Sequence, residues 1–291
     1  MSDDAFLRHR SLLFTVAYEM LGSAADAEDV LQDSWLRWRE VDPETVHDPR
    51  AYLVRIVTRQ SLNHLRGRSR LRETYVGEWL PEPLLTSPDV ADDVEFAESV
   101  SITMLTVLET LGPTERAVFV LREVFDVPYA EIADAISKEP AAVRQIAHRA
   151  KQHVAARRPR VDVGRSEQQA VVARFVDAVN SGDLQGLMDV LAPDVVSVAD
   201  GGGFVRGAAR RPITGADKIA RYLIGGLSKL EVPFEARPTW VNGRLAVRGE
   251  VGGALAGAIC FDIEGGRITR IYSIANPHKL HRLDEEADLA R

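Results

Sequence analysis

The chain has 291 residues, 45% of them hydrophobic and 27% charged, with a formal net charge of −7. At roughly 150 residues per domain this length suggests two domains and allows three, and the composition excludes collagenous, low-complexity and wholly disordered chains. No window reaches the ~18 uncharged apolar residues of a membrane span, so no membrane partner is expected. The start, Ser2-Asp3-Asp4, lacks the basic-then-apolar order of a signal peptide, and a lone Cys260 suits a reducing, cytoplasmic setting.

Three helices are predicted in the first 72 residues. Phe6, Leu13, Val16, Ala17 and Met20 recur at helical spacing, and Gly22 ends that helix. A second starts after Ser23 with Asp26, Glu28 and Asp29 in its opening turns, where the helix dipole favours acids. Ala27, Val30, Leu31, Trp35 and Trp38 form its apolar side, and Asp42-Pro43 breaks it. The third runs from about 49 to 70 with Tyr52, Leu53, Ile56, Val57, Leu62 and Leu65 as its stripe.

Residues 73–99, with Pro81, Pro83, Pro88 and many acids, read as a linker. Helices resume at about 94–111, pause at Gly112-Pro113 and continue from Thr114. A helix pair follows at about 128–136 and 140–156, with Ile132, Ala133 and Ile136 facing Val143, Ile146, Ala147 and Ala150 across a short turn. From residue 167 the pattern changes: helices at 167–181, 183–191 and 216–230, and strands at 195–199, 234–241, 244–250, 254–263 and 267–275. Asn242-Gly243 and Gly265-Gly266 mark hairpins. This predicts an α+β domain with an antiparallel sheet.

The net charge conceals strong segregation. Residues 1–49 balance to −7, residues 50–72 carry seven Arg and no acid, 73–99 carry eight acids and no base, and 141–160 carry six bases and no acid. Two basic blocks separated by an acidic stretch suit a bipartite polyanion binder; two solvated helix faces are the plainer alternative. The 128–156 pair has helix-turn-helix spacing. Its second helix offers Ala141 and Ala142 for close approach, Arg144 and Gln145 for base edges, and His148, Arg149 and Lys151 for flanking contacts. An ordinary helical hairpin with a basic face has the same pattern. On the 50–72 helix, Arg55, Arg59, Asn63, His64, Arg66 and Arg68, with Tyr52 and the nearby Tyr75, can neutralise phosphates and hold unstacked bases. The acidic-aromatic helix before it, with Asp26, Glu28, Asp29, Gln32, Asp33, Trp35 and Arg37, reads as a solvated face or as a protein-docking face.

As a set, these motifs resemble extracytoplasmic-function (ECF) sigma factors of bacterial RNA polymerase. The run from Ala25 to Trp38, with Arg50-Ala51-Tyr52-Leu53 and Asn63-His64-Leu65-Arg66, resembles their region 2. Leu111 to Arg116, Glu131-Ile132-Ala133 and His148 to Lys151 resemble region 4. In the turn, Ser137-Lys138-Glu139 stands where the family usually has Gly, an apolar residue and Ser. Asn180-Ser181-Gly182-Asp183-Leu184 and Leu191 to Val195 are similar to SnoaL-like cone domains. Trp79-Leu80-Pro81-Glu82-Pro83, Asp200-Gly201-Gly202-Gly203 and Asn276-Pro277-His278-Lys279-Leu280 resemble motifs of the subclass that carries such a domain as a fused extension, with His278 where Asp is common.

The resemblance implies two all-α sigma domains, the second with the helix-turn-helix, plus a C-terminal α+β cone. The expected divisions are 1–72 (region 2), 73–99 (acidic linker), 100–160 (region 4), 166–282 (SnoaL-like regulatory domain) and 283–291 (tail). It implies core RNA polymerase and promoter DNA as partners, with polymerase docking on the second helix, −10 recognition by 50–72 and −35 recognition by 128–156. The three fused-domain motifs, Trp79 to Pro83, Asp200 to Gly203, and Asn276, Pro277, Lys279 and Leu280, would form a regulatory contact. No cofactor, metal or catalytic residue is expected: Asp200, Glu250 and Asp262 lack a diagnostic spacing, and the histidines form no ligand set. A small ligand bound in the C-terminal domain without turnover stays open. The competing readings are a ligand-sensing helix-turn-helix repressor and a SnoaL-like enzyme fused to a DNA-binding module.

Overall fold

The computed structural model describes residues 2–42, 45–72, 74–158 and 164–291, and the chain divides into two compact units. Unit 1 comprises Met1–Glu73, Met104–Arg158 and Asp288–Arg291; unit 2 comprises Thr74–Thr103 and Pro159–Ala287.

Unit 1 begins with three helices, α1 (Ser2–Leu21), α2 (Ala24–Arg39) and α3 (Pro49–Arg72). Gly22 adopts φ +67 and its N–H reaches back to the Tyr18 carbonyl at 2.7 Å, which closes α1 as its sequence position predicts. Ser23 caps α2 by accepting from the Asp26 N–H at 3.2 Å. Leu13, Val16, Ala17 and Met20 are fully buried, and Trp38 closes the same core with its ring tilted on Tyr52. The remainder is α5 (Ile102–Leu108), whose first two residues belong to unit 2, α6 (Pro113–Phe119), a π-helical turn over Val120–Val124, α7 (Tyr129–Ile136) and α8 (Pro140–Ala155). Ser137 ends α7 at φ +56, ψ +53, the left-handed region where glycine is at ease. This is the position at which the family pattern has Gly. Glu139 precedes α8 without a side-chain cap, and Pro140 opens the helix with a preset φ.

Unit 2 contains a short helix, α4 (Val94–Ser99), two longer ones, α9 (Arg165–Ser181) and α11 (Ala216–Leu227), the connecting α10 (Leu184–Val190), and a six-stranded sheet. The strands are β1 (Leu191–Asp200), β2 (Ile213–Thr214), β3 (Phe234–Val241), β4 (Arg244–Val251), β5 (Ala254–Glu264) and β6 (Arg267–Ile274), in the order β2-β1-β6-β5-β4-β3. The three hairpins β3–β4, β4–β5 and β5–β6 turn on Asn242-Gly243, Gly252-Gly253 and Gly265-Gly266, all at positive φ. The sheet is mixed rather than antiparallel throughout, because β1 lies parallel to β6. A parallel pair needs a long crossover, and α11 with β3–β5 supplies it.

The two faces of the sheet are covered differently. Helices α9, α10 and α11 close one face over Phe175, Leu187, Ile219, Val247, Phe261 and Ile271. The opposite face, with Val241, Ala246, Ala258, Cys260, Tyr272 and Ile274, packs against Leu80, Ile102, Leu280 and Leu283. The acidic stretch 73–99 that composition marks as a linker is therefore not a free spacer: from Thr74 it belongs to unit 2, and its Leu80 joins this core. Leu80 and Leu84 are 1% and 0% exposed, and burying two leucines contributes about 3–6 kcal/mol of transfer free energy.

Candidate functional sites: helix faces of unit 1 and a buried ion pair in unit 2

On α2, Asp29, Gln32, Asp33 and Arg37 are exposed, with Leu36 among them at 50% exposure. Leu36 is absent from the residues singled out by sequence; its signal is an apolar residue on the outer side of the helix. Asp26 and Glu28 turn inward along the unit: Asp26 meets His64 Nε2 at 3.2 Å and Glu28 meets Arg10 at 2.7 Å. Trp35 is half-buried beneath the Arg39 guanidinium, 4.9 Å from its ring centre.

On α3, Asn63 and Arg66 are exposed, while Arg55 lies over the Tyr52 ring at 4.7 Å. Arg59 donates to the Asp134 carbonyl at 2.7 Å and the Ala135 carbonyl at 3.1 Å, capping the last turn of α7. The Arg68 side chain lies outside the described residues, as does Arg160 of the second basic block. Tyr75, grouped with α3 from its place in the sequence, belongs instead to unit 2. On α8, Ala141, Arg144, Gln145 and His148 form one exposed stripe with Ala142 half-buried beside it, and Arg149 is exposed. Lys151 reaches Glu123 at 2.6 Å, and His148 contacts Gln152 at 3.0 Å.

In unit 2 the three motifs converge on one buried ion pair. Asp200 is 0% exposed and sits at the end of β1; Lys279, 6% exposed, places Nζ 2.7 Å from its Oδ2. The same oxygen accepts the Leu80 N–H at 2.9 Å, while Oδ1 accepts the Tyr75 hydroxyl and the Gly202 N–H at 3.1 Å. Lys279 also donates to the Leu80 carbonyl, and its ammonium lies 4.1 Å from the Trp79 ring centre and 5.2 Å from that of Tyr75. A desolvated cation between two ring faces is held by their quadrupoles. Asn276 donates to the Tyr75 oxygen at 2.8 Å. Burial, then the hydrogen bond to Asp200, raises the Tyr75 phenol pKa far above its ordinary value, so it stays a donor. Gly202, at φ +59, is required here, since a Cβ would stand 2.4 Å from the Asn276 amide. Pro81, Glu82 and Pro83 are buried, Gly201 is buried, Leu280 joins the core, and Gly203 and Pro277 are exposed.

Two further ties fix residues 74–103 to the sheet, and sequence reasoning missed both. Buried Asn242, in the β3–β4 turn, accepts from the Leu84 N–H at 2.8 Å and donates to the Val100 carbonyl at 2.7 Å. Its signal in the sequence is the turn pair Asn-Gly, which gives no hint of these partners. Asp262, 4% exposed on β5, accepts from Thr103 Oγ1 and, at 3.0 Å, from the Tyr272 hydroxyl. Burial raises its pKa against these two hydrogen bonds and Arg270 and Arg244, and pushes the Cys260 thiol up to about 12. The three carboxylates weighed for catalysis are thus engaged: Asp200 by Lys279, Asp262 by Thr103 and Tyr272, and Glu250 by Arg248 at 2.9 Å.

The raised Asp262 pKa fixes a sign. The folded state holds that proton more tightly than the unfolded chain, so stability falls as pH rises from about 4 through the folded value. Asp262→Asn is expected to remove that decline. The measurement is the urea midpoint of both proteins from pH 4 to 8, and a gap that does not change with pH would contradict it.

Three families match successive parts of the chain: Sigma-70 region 2 over residues 5–71, Sigma-70 region 4 over 102–154 and SnoaL-like domain over 172–271. The ECF RNA polymerase sigma factor SigJ of Mycobacterium tuberculosis is 36% identical over 93% of this chain and 90% of its own length. The chain belongs to the ECF sigma factors. The probable ECF sigma factor SigI of the same species is 33% identical, covering 97% of this chain and 96% of its own. The crystal structure of M. tuberculosis SigJ superposes with a TM-score of 0.74 at 34% identity, covering 93% of this chain and 95% of that one. This sigma factor therefore directs RNA polymerase to promoter DNA and carries a fused SnoaL-like domain; its family does not act as an enzyme. No described helix of the sigma factor is long and apolar enough to cross a membrane.

Proposed function

We propose that the exposed face of α2, with Asp29, Gln32, Asp33, Leu36 and Arg37, docks on core RNA polymerase in the cytoplasm. An apolar residue within a ring of charge suits an interface that excludes water at its centre. The exposed stripe Ala141, Arg144, Gln145 and His148 reads the −35 element in the major groove, with Arg149 and Lys151 on phosphates. The α3 helix reads the −10 element through residues that include the exposed Asn63 and Arg66. Asp26, His64 and Arg59 reach DNA or polymerase once their bonds within unit 1 are exchanged. The functional division of this reading is region 2 over 1–72, an acidic joining segment over 73–99, region 4 over 100–160, the regulatory domain over 166–282 and a tail over 283–291.

The fused domain regulates by holding the segment that joins regions 2 and 4. The observation that carries this reading is the Asp200–Lys279 pair caged by Tyr75 and Trp79, which ties residues 75–80 to β1 and to the 276–280 turn. A segment fixed at both ends of a short span sets which promoter spacing the two DNA-binding helices can reach. Its test is transcription from a cognate promoter by holoenzyme reconstituted with the full chain. Trp79→Ala removes one wall of the cage and leaves the ion pair in place, and it is expected to change output several-fold. Unchanged output, for Trp79→Ala and for truncation before Asn276 alike, would overturn the regulatory contact. A small ligand within the SnoaL-like domain is not needed by this reading, since the helix-covered face is occupied by Phe175, Phe261 and their neighbours.

A further inference from the structure

We propose that the loop between β1 and β2, residues 204–211, is a third DNA contact that grips the phosphodiester backbone of duplex promoter DNA. The inference rests on the sigma-factor activity, which brings promoter DNA to this chain. Its observations, however, come from unit 2 and concern none of the residues assigned to −10 or −35 reading.

From residue 201 to 216 the sequence has three arginines, Arg206, Arg210 and Arg211, and no acid. All three are exposed, and no ion pair holds them among the described residues. Of the other exposed arginines of unit 2, Arg221 is paired with Asp217, Arg237 with Glu235 and Arg165 with Asp92, Arg174 and Arg267 donate to the Gly266 and Leu191 carbonyls, and Arg270 lies within the field of Asp262. The same loop carries Phe204, 63% exposed, with the His278 ring set edge-on to it at 4.6 Å between centroids. Where the fused-domain motif commonly has Asp, this chain has His278, so the patch carries no negative charge from that turn either. A solvent-facing aromatic ring and unpaired arginine forks on one loop suit sugar and phosphate, since the planar guanidinium matches phosphate oxygens two at a time.

The loop is also held in shape, which reduces the entropy cost of binding. The Tyr222 hydroxyl on α11 donates to the Gly207 carbonyl at 2.9 Å and accepts the Ala209 N–H at 3.0 Å. Gly201 and Ala208 pack so closely that a Cβ on Gly201 would lie 2.7 Å from the Ala208 Cβ. Gly207 supplies the φ of +90 at the bend. An acidic protein surface would also attract three arginines, but the measurements below separate it from DNA.

The test uses holoenzyme assembled from core polymerase and the full chain, either wild type or carrying Arg206→Ala, Arg210→Ala and Arg211→Ala together. Binding of a fluorescent promoter duplex is titrated from about 50 to 200 mM salt. Each phosphate contact adds about 0.9 to the slope of log affinity against log salt, so the triple variant is expected to lose about 2.7 from that slope. Across this range the wild-type affinity should therefore fall about 40-fold more than that of the variant. Arg221→Ala with Lys229→Ala, a charge change elsewhere in the same unit, should leave the slope unchanged. An unaltered slope in the triple variant, with wild type binding and initiating normally, would overturn the proposal and leave the sigma-factor reading intact. Loss of core-polymerase binding with an unaltered DNA slope would also overturn it, assigning the loop to a protein contact. Wild-type holoenzyme that fails to bind the promoter would instead count against the reading on which the proposal rests.

Discussion

Replacing Lys279 with alanine is expected to lower the stability of unit 2 by about 3–5 kcal/mol, the cost of leaving a buried charge without its partner. Asp200 is fully buried and keeps donors from Leu80, Gly202 and Tyr75, but none of these carries a compensating positive charge. The cage makes the substitution worse, since Trp79 and Tyr75 lose the cation between them. Lys279→Met, which fills the same channel, should restore packing and still leave the carboxylate uncompensated. Combined with Asp200→Asn it should recover most of the loss, because a neutral pair of similar volume carries no ionic desolvation penalty. Hydrogen exchange of residues 268–283 and 75–86 in the full chain reads this directly, and it avoids treating a two-unit protein as two-state. A loss below about 1 kcal/mol, the range of an exposed pair, would show that the pair is not buried as described.

The second large effect is expected in unit 1. Arg116, 2% exposed on α6, donates from Nε to the Glu19 carbonyl of α1 at 2.9 Å and pairs with Glu109 just before α6. Burial lowers its pKa, and the charges of Glu19 and Tyr18 oppose that shift. Arg116→Ala is expected to cost about 3–5 kcal/mol, since it removes the buried counter-charge of Glu109 and the donor to Glu19 together. Arg116→Lys should not rescue it, because an ammonium cannot serve a carbonyl and a carboxylate from one planar fork. Faster exchange in α1 and α6, with unit 2 protection unchanged, is the expected signature. Equal protection in wild type and variant would refute it. Arg116 was visible in the sequence within a region 4 motif, but nothing local marked it as buried.

Helix ends, hairpin turns and the separation of acidic from basic segments were legible because their causes are local. Gly22 ends α1 and Ser23 caps α2 whatever the rest of the chain does, and Asn242-Gly243 folds a hairpin on its own preference. The parallel pairing of β1 with β6 was not legible, since it depends on where a crossover deposits the next strand. The packing of residues 74–103 was hidden for a related reason. Proline and acid make such a stretch read as a spacer, while two leucines, Leu80 and Leu84, decide where it lies.

By itself, the sequence determined the order of helical and α+β parts, the segregation of charge behind a net value of −7, and the motifs that mark the family. It also showed which residues of α8 can face outward, because helical period alone settles that. What the tertiary structure decided is which of these residues are free. It committed Arg59 to the carbonyls of α7, His64 to Asp26 and Tyr75 to Asp200, and it left Arg206, Arg210 and Arg211 in solvent. Lys279, Leu80 and Tyr75, the distant partners of Asp200, lie 79, 120 and 125 residues away along the chain. No local preference encodes such pairings; they exist because a buried carboxylate must find a counter-charge and donors, and only the folded chain brings them within reach.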